Sequence, residues 1–173
     1  MLFRSPYDIV HILNRYFDIL GDDIDKNHGY IDKYMGDGIM AIFGLDEESE
    51  ENSAAQALSA ALGMISSLHS FNEYLESRFD HQFKIGIGIH TGKVIVGNLG
   101  YRKKKEFTAI GDTVNTASRI ESLNKKTGTS ILVSEETYLM IKDQFSWKNK
   151  FKSQVKGKEL PIIVYEPKID QDR

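Results

Sequence analysis

The stretch "KYMGDGIMAIFG", Lys33 to Gly44, sets a carboxylate between two glycines, directly before an apolar run. Gly and Asp are disfavoured inside strands, so Gly36-Asp37-Gly38 predicts the turn of a β-hairpin. A carboxylate at such a turn, where glycines allow close backbone approach, can offer oxygens to a hard cation such as Mg²⁺. The same three residues also make an ordinary turn that holds nothing. Strand alternation puts Lys33 on the face of Ile31 and Met35, where its ammonium either snorkels to a sheet edge or donates hydrogen bonds into a site. In "GDTVNTASRIESLN", Asn115 and Arg119 stand four apart and are neighbours on one helical face. That pair is either plain surface or a donor pair for an anion, since guanidinium matches phosphate geometry. Lys156 and Lys158 flank Gly157 before the last apolar run, in a turn that faces solvent or suits a triphosphate.

Little other chemistry competes. The chain has no cysteine, which removes disulfides, thiolate nucleophiles and cysteine metal sites. It carries no P-loop, GxSxG, HExxH or dinucleotide fingerprint. None of the five histidines pairs with another at metal-ligand spacing, and His90 reads as a satisfied strand-end residue. With 173 residues, 40% apolar and 27% charged, the chain fits one globular domain with a sizeable core. A formal charge of −3 argues against bulk binding to nucleic acid. No run of about eighteen apolar residues could span a bilayer, and the N-terminal stretch does not read as a signal peptide, so a cytoplasmic location is expected.

The elements that must position these residues follow from periodicity. Ile9, Ile12, Leu13, Tyr16, Phe17 and Leu20 recur at helical spacing, predicting a helix over 6–27. Residues 31–35 and 39–43 flank the Gly-Asp turn as a hairpin. The acidic "LDEESEEN" reads as a solvated loop, and an alanine-rich helix is expected over 53–78. Residues 83–90 and 93–98 read as two strands joined at a Thr-Gly turn, with Gly86 and Gly88 on one face where a helix or backbone comes close. The basic "YRKKKE" reads as a hairpin tip before a strand at 107–110. Asp112 or Thr113 suits the N-cap of a helix that ends near Asn124. "TSILVS" is a strand, "EETYLMIKD" a short helix and "LPIIVYEP" a closing strand. Helices alternating with hairpins predict an α+β sheet with helices packed on one side.

Taken in order, "KYMGDGIMAIFG", "IGIGIHTGKVIVGN", "FTAIGDTVNTASRIE", "ILVSEETY" and "VKGKELPIIVYE" closely resemble the catalytic domain of class III nucleotidyl cyclases, over nearly the whole chain. The resemblance implies a ferredoxin-like, antiparallel-rich sheet covered by helices. It implies that Asp37 binds metal (two Mg²⁺ or Mn²⁺ ions per site), that Asn115 and Arg119 stabilise the transition state, and that Lys156 holds the triphosphate. Lys33 would read adenine, joined by Thr108. It also implies a homodimer with shared active sites, in which Lys33 and Asp37 of one chain serve different sites. ATP is then the expected substrate. Adenine N1 accepts from a lysine, whereas guanine N1 would face it donor to donor. Threonine at 108 is less selective than the aspartate found in some adenylyl cyclases.

The family's opening strand, with its first metal aspartate, has no match here. Asp8, Asp18, Asp22, Asp23 and Asp25 all fall in or at the end of the first helical pattern. The expectation is therefore a single domain over 1–173, N-terminally incomplete, which in a longer parent chain would adjoin regulatory or membrane-attached parts. The leading function is ATP conversion to cyclic AMP and pyrophosphate. The alternatives are a catalytically impaired nucleotide-binding or dimerisation module, and a guanylyl cyclase.

Overall fold

The computed structural model describes residues 6–46, 49–154 and 161–169. It opens with helix α1 (Pro6–Lys26), followed by the hairpin of β1 (Tyr30–Met35) and β2 (Gly38–Ile42). Gly36 takes a φ of 66° in the hairpin turn, a conformation that costs glycine nothing. Helix α2 (Glu50–Phe79) starts three residues before the expected position. The Ser49 hydroxyl accepts from the Asn52 amide at 3.3 Å, and Glu50 and Glu51 join the first turn, where negative charge suits the helix dipole. Part of the expected acidic loop is therefore helix.

The apolar stripe of α1 packs on the second half of α2. Ile12, Tyr16 and Leu20 meet Leu68, Phe71 and Leu75 in a buried cluster. The first half of α2 is lined with alanines, and Ala54, Leu58 and Ala61 join Ile131, Val133 and Ile141 in a second cluster. Small side chains there let the helix lie close to the strands.

The remaining elements are β3 (Ile87–Ile89), β4 (Ile95–Tyr101), β5 (Lys104–Ile110), α3 (Asp112–Thr127), β6 (Ile131–Ser134), α4 (Glu135–Ile141), β7 (Trp147–Ser153) and β8 (Ile162–Pro167). The expected strand pair at 83–98 is not a hairpin. β3 pairs in parallel with β6, and β4 pairs antiparallel with β5. The α+β class and the predominance of antiparallel pairs hold, but the strands divide into three sheets, β1-β2, β3-β6-β8-β7 and β4-β5. β7 had no counterpart in the sequence reading. Its residues WKNKFKS include three lysines, so periodicity alone gives a weak strand signal.

Between β2 and β3 lies a cavity of about 260 Å³, lined by Ile39, Ala41 and Phe43 on one side and Ile87 and Ile89 on the other. Helices α2 and α3 add Ala61, Met64, Val114 and Ala117. Among the described residues β2 pairs only with β1, and β3 only with β6.

α3 is seated on β3 by a close approach that only glycine permits. A Cβ at Gly88 would lie 2.2 Å from the Glu121 amide nitrogen and 2.4 Å from the Ala117 carbonyl oxygen. Asn124, near the helix end, donates to the Ile87 carbonyl at 3.0 Å and accepts from the Thr129 hydroxyl at 2.8 Å. Gly88→Ala should therefore lower stability by about 2–3 kcal/mol, because the helix backbone has to move. Gly97→Ala, with open space around the new methyl, should cost less than about 1 kcal/mol. Urea midpoints of the two variants, compared at unchanged m, check the difference.

Candidate active site

The hairpin presents Lys33 and Asp37 differently. Asp37 is exposed in the turn between β1 and β2, and Lys33 is half-buried on β1. The alternation that was to place Lys33 beside Ile31 is broken, because the β1–β2 register shifts between those two residues. Asp32 falls at this bulge. An extra residue of this kind re-aims its neighbours, so Asp32 and Lys33 no longer point to opposite faces as successive strand residues do. The Asp32 side chain is fully buried, and its Oδ2 lies 3.7 Å from Lys33 Nζ.

That same oxygen accepts from the Thr108 hydroxyl of β5 at 2.8 Å. Thr108 is itself buried, and nearby Tyr30 meets Phe107 edge-on at 5.6 Å between ring centroids. Lys33 and Thr108 are thus brought to one place, with Asp32 between them. Asp32 was not singled out from sequence. The signal available was an acidic residue immediately before a lysine in a strand, which carries little meaning until the bulge is known.

Asn115 and Arg119 both sit on α3, as the helical spacing requires. Asn115 is exposed, while Arg119 is half-buried, with its Nη1 3.5 Å from Asp112 Oδ1. The expected cap is corrected here. Asp112 is the first helical residue, Gly111 holds the N-cap position without a side-chain bond, and α3 runs on to Thr127. The Thr113 hydroxyl instead donates to the Lys93 carbonyl at 2.7 Å, tying the helix start to the loop after β3. No hydrogen bond or ion pair among the described residues links Asn115 or Arg119 to Lys33, Thr108 or Asp37. The recorded contacts therefore join Lys33 and Thr108 through Asp32, and Arg119 to Asp112, with none between the two sets. Lys156 lies outside the described residues.

His90 is occupied at the strand end, its Nδ1 2.9 Å from the Ser134 hydroxyl. Among the described residues no group of three or more His, Asp or Glu is clustered as a metal site, and no helix is long and apolar enough to cross a membrane. The donor chemistry at the turn still suits a hard cation: Asp37 is an exposed carboxylate, and Mg²⁺ is usually held by one or two carboxylates together with water and substrate phosphate.

Residues 2–166 match the family model described as "Adenylate and Guanylate cyclase catalytic domain". The chain belongs to that family. It is 39% identical over 171 residues to an adenylate cyclase of Anabaena cylindrica, an alignment covering 95% of this chain and 33% of that protein. It is 32% identical over 163 residues to adenylate cyclase 1 of Rhizobium meliloti, covering 94% of this chain and 24% of that one. This cyclase domain thus spans about a third or less of the curated relatives it matches. Its fold matches the crystal structure of the adenylyl cyclase CyaB from P. aeruginosa with a TM-score of 0.88 at 31% identity, covering 98% of this chain and 86% of that one. It matches the guanylyl cyclase Cya2 with a TM-score of 0.85 at 32% identity, covering 94% and 81%. Fold likeness therefore includes cyclases of both bases.

The cyclase hairpin also carries an electrostatic link to the core. Burial, and then the negative charge of Asp37, push the Tyr16 phenol from its ordinary value of 10.0 up to about 12. A raised folded-state pKa favours the neutral phenol, so its contribution to stability is complete below pH 10 and is lost as pH rises through 12. Tyr16→Phe should remove that part of the alkaline loss of stability. Asp37→Asn should bring the Tyr16 titration down toward its ordinary value. Urea unfolding across that range, with the tyrosine followed by NMR, measures both.

Proposed function

We propose that this domain is the catalytic part of an adenylyl cyclase, converting ATP to cyclic AMP and pyrophosphate as a homodimer. The observation that carries the base preference is the meeting of Lys33 and Thr108, distant in sequence, across Asp32. An ammonium suits the acceptor at adenine N1 and opposes the N1 proton of guanine.

In this reading the ribose 3′-oxygen attacks the α-phosphorus and pyrophosphate leaves. Arg119 stabilises negative charge building on the α-phosphoryl group, and Asn115 orients the ribose. Lys156 holds the triphosphate. Asp37 would hold Mg²⁺ or Mn²⁺, which when bound lowers the pKa of the attacking hydroxyl and neutralises charge on the leaving group. No protein nucleophile is needed. That no recorded contact among the described residues joins Lys33 or Thr108 to Asn115 or Arg119 is consistent with sites completed by a second copy. So are the exposed apolar side chains Ile95, Leu99, Tyr101, Phe107 and Ile110 along β4 and β5.

The cavity between β2 and β3 favours a second reading for the chain as it stands, a nucleotide-binding module without turnover. Two free strand edges beside an apolar cavity suit an extended segment, which we assign to an opening strand upstream that brings the second metal carboxylate. The deciding experiment is cyclic AMP formation from ATP with Mn²⁺, by this chain and by one extended upstream. Activity in the extended chain alone is the expected result. No product from either overturns the catalytic reading. In the active form, Lys33→Glu should weaken ATP use relative to GTP by at least about tenfold, measured as the ratio of kcat/KM values. An unchanged ratio removes Lys33 from base reading.

A further inference from the structure

A threonine hydroxyl is ambiguous toward a purine, since it can donate one hydrogen bond and accept two. Guanine and adenine differ at position 6 in this very property: the adenine 6-amino group donates and the guanine 6-oxo group accepts. We propose that Asp32 resolves the ambiguity and is a specificity-determining positioning residue. It accepts the one hydrogen bond that the Thr108 hydroxyl can donate, so that Thr108 meets the base as an acceptor only and favours a 6-amino purine. This rests on the reading of Lys33 and Thr108 as the base-facing pair.

Three observations carry it. The Thr108 hydroxyl donates to Asp32 Oδ2 at 2.8 Å, and its other acceptor, the Ala109 carbonyl, lies at 3.5 Å, too long to compete. A carboxylate has no proton to return, so the direction of this bond is fixed, and burial of the Asp32 side chain denies it water as an alternative donor. Asp32 also stands 3.7 Å from the Lys33 ammonium, holding that donor beside Thr108. The base therefore meets one donor and one acceptor side by side. Adenine N1 and its 6-amino group present the complementary acceptor and donor. A 6-oxo purine reverses both, leaving polar groups opposed and unpaired. Asp32 Oδ1 is buried with no partner, so the carboxylate has acceptor capacity to spare and no reason to release the hydroxyl.

This accounts for a preference that threonine at 108 would not give by itself. An aspartate at 108 would be an acceptor by its own chemistry, and here the neighbouring strand supplies the carboxylate that makes threonine behave as one.

The test compares ATP with inosine triphosphate, which differs from ATP only in the 6-oxo group and the N1 proton. Dissociation constants for both are measured on the full-length protein by competition against a fluorescent ATP analogue. The unaltered protein should bind ATP at least about tenfold more tightly than inosine triphosphate. Asp32→Asn keeps the shape, but its amide can donate to the threonine oxygen and free the hydroxyl proton to turn outward, so the ratio should narrow by about tenfold. Thr108→Val, which leaves Asp32 in place, should narrow it similarly, and adding Asp32→Asn to Thr108→Val should change the ratio no further. A ratio preserved in either single variant overturns the proposal, as does a full further shift in the double variant. If the unaltered protein binds neither nucleotide, the base-site reading itself fails, and this proposal falls with it.

Discussion

The seating of α3 on β3 is the constraint from which the rest of the domain takes its geometry. A helix backbone within about 2.5 Å of where a Cβ would stand can be approached only by glycine, and Gly88 is that residue. Once α3 lies so close, Asn124 can reach the β3 backbone, Ile120 and Leu123 are buried with Leu132 and Val164, and the first turns of the helix stand above the cavity. Asn115 and Arg119 inherit their positions from this contact. Their direction is set by that packing.

The hairpins are held by different means. β1 meets β5 through the buried Asp32 carboxylate, which accepts from Thr108, and through the Tyr30–Phe107 ring contact. A hydrogen bond from a hydroxyl to a carboxylate is worth about 1.5–3 kcal/mol net, against the cost of burying the carboxylate at all. Stability alone is a weak explanation for Asp32. Its Oδ1 is left without a partner, although an apolar residue there would in turn leave the buried Thr108 hydroxyl without its acceptor. A residue that costs stability and fixes the direction of one hydrogen bond is better understood through what that direction selects.

Much of the fold was legible because its signals are local. The stripe of α1, the Gly-Asp turn, the alanine-rich α2 and the closing strand each announce themselves within a dozen residues. Gly86 and Gly88 likewise signalled a close approach before the partner helix was known. What was not legible depends on distant pairing. The run 83–98 looks like a hairpin because two apolar stretches flank a Thr-Gly pair, yet β3 finds its partner in β6 and β4 finds its own in β5. The site follows the same division. Lys33, Asp37, Asn115, Arg119 and Lys156 were candidates from residue type and spacing, and Thr108 only through family resemblance. Asp32 was invisible because a bulge, which strict alternation excludes, turns it toward a strand 76 residues away.

The bulge lets one short hairpin present two carboxylates in different settings, Asp32 buried and Asp37 exposed. Regular alternation would send Asp32 and Lys33 to opposite faces, leaving the lysine without its carboxylate and the threonine free to donate or accept. One extra residue in β1 brings acid and base together, while the turn that follows keeps Asp37 exposed at the tip. On the proposed reading, a fixed donor and acceptor pair would discriminate by leaving the wrong base unsatisfied rather than by binding the right one more tightly. Selectivity of that kind would require the hydroxyl to have a single acceptor, and the buried Asp32 carboxylate stands 2.8 Å from it.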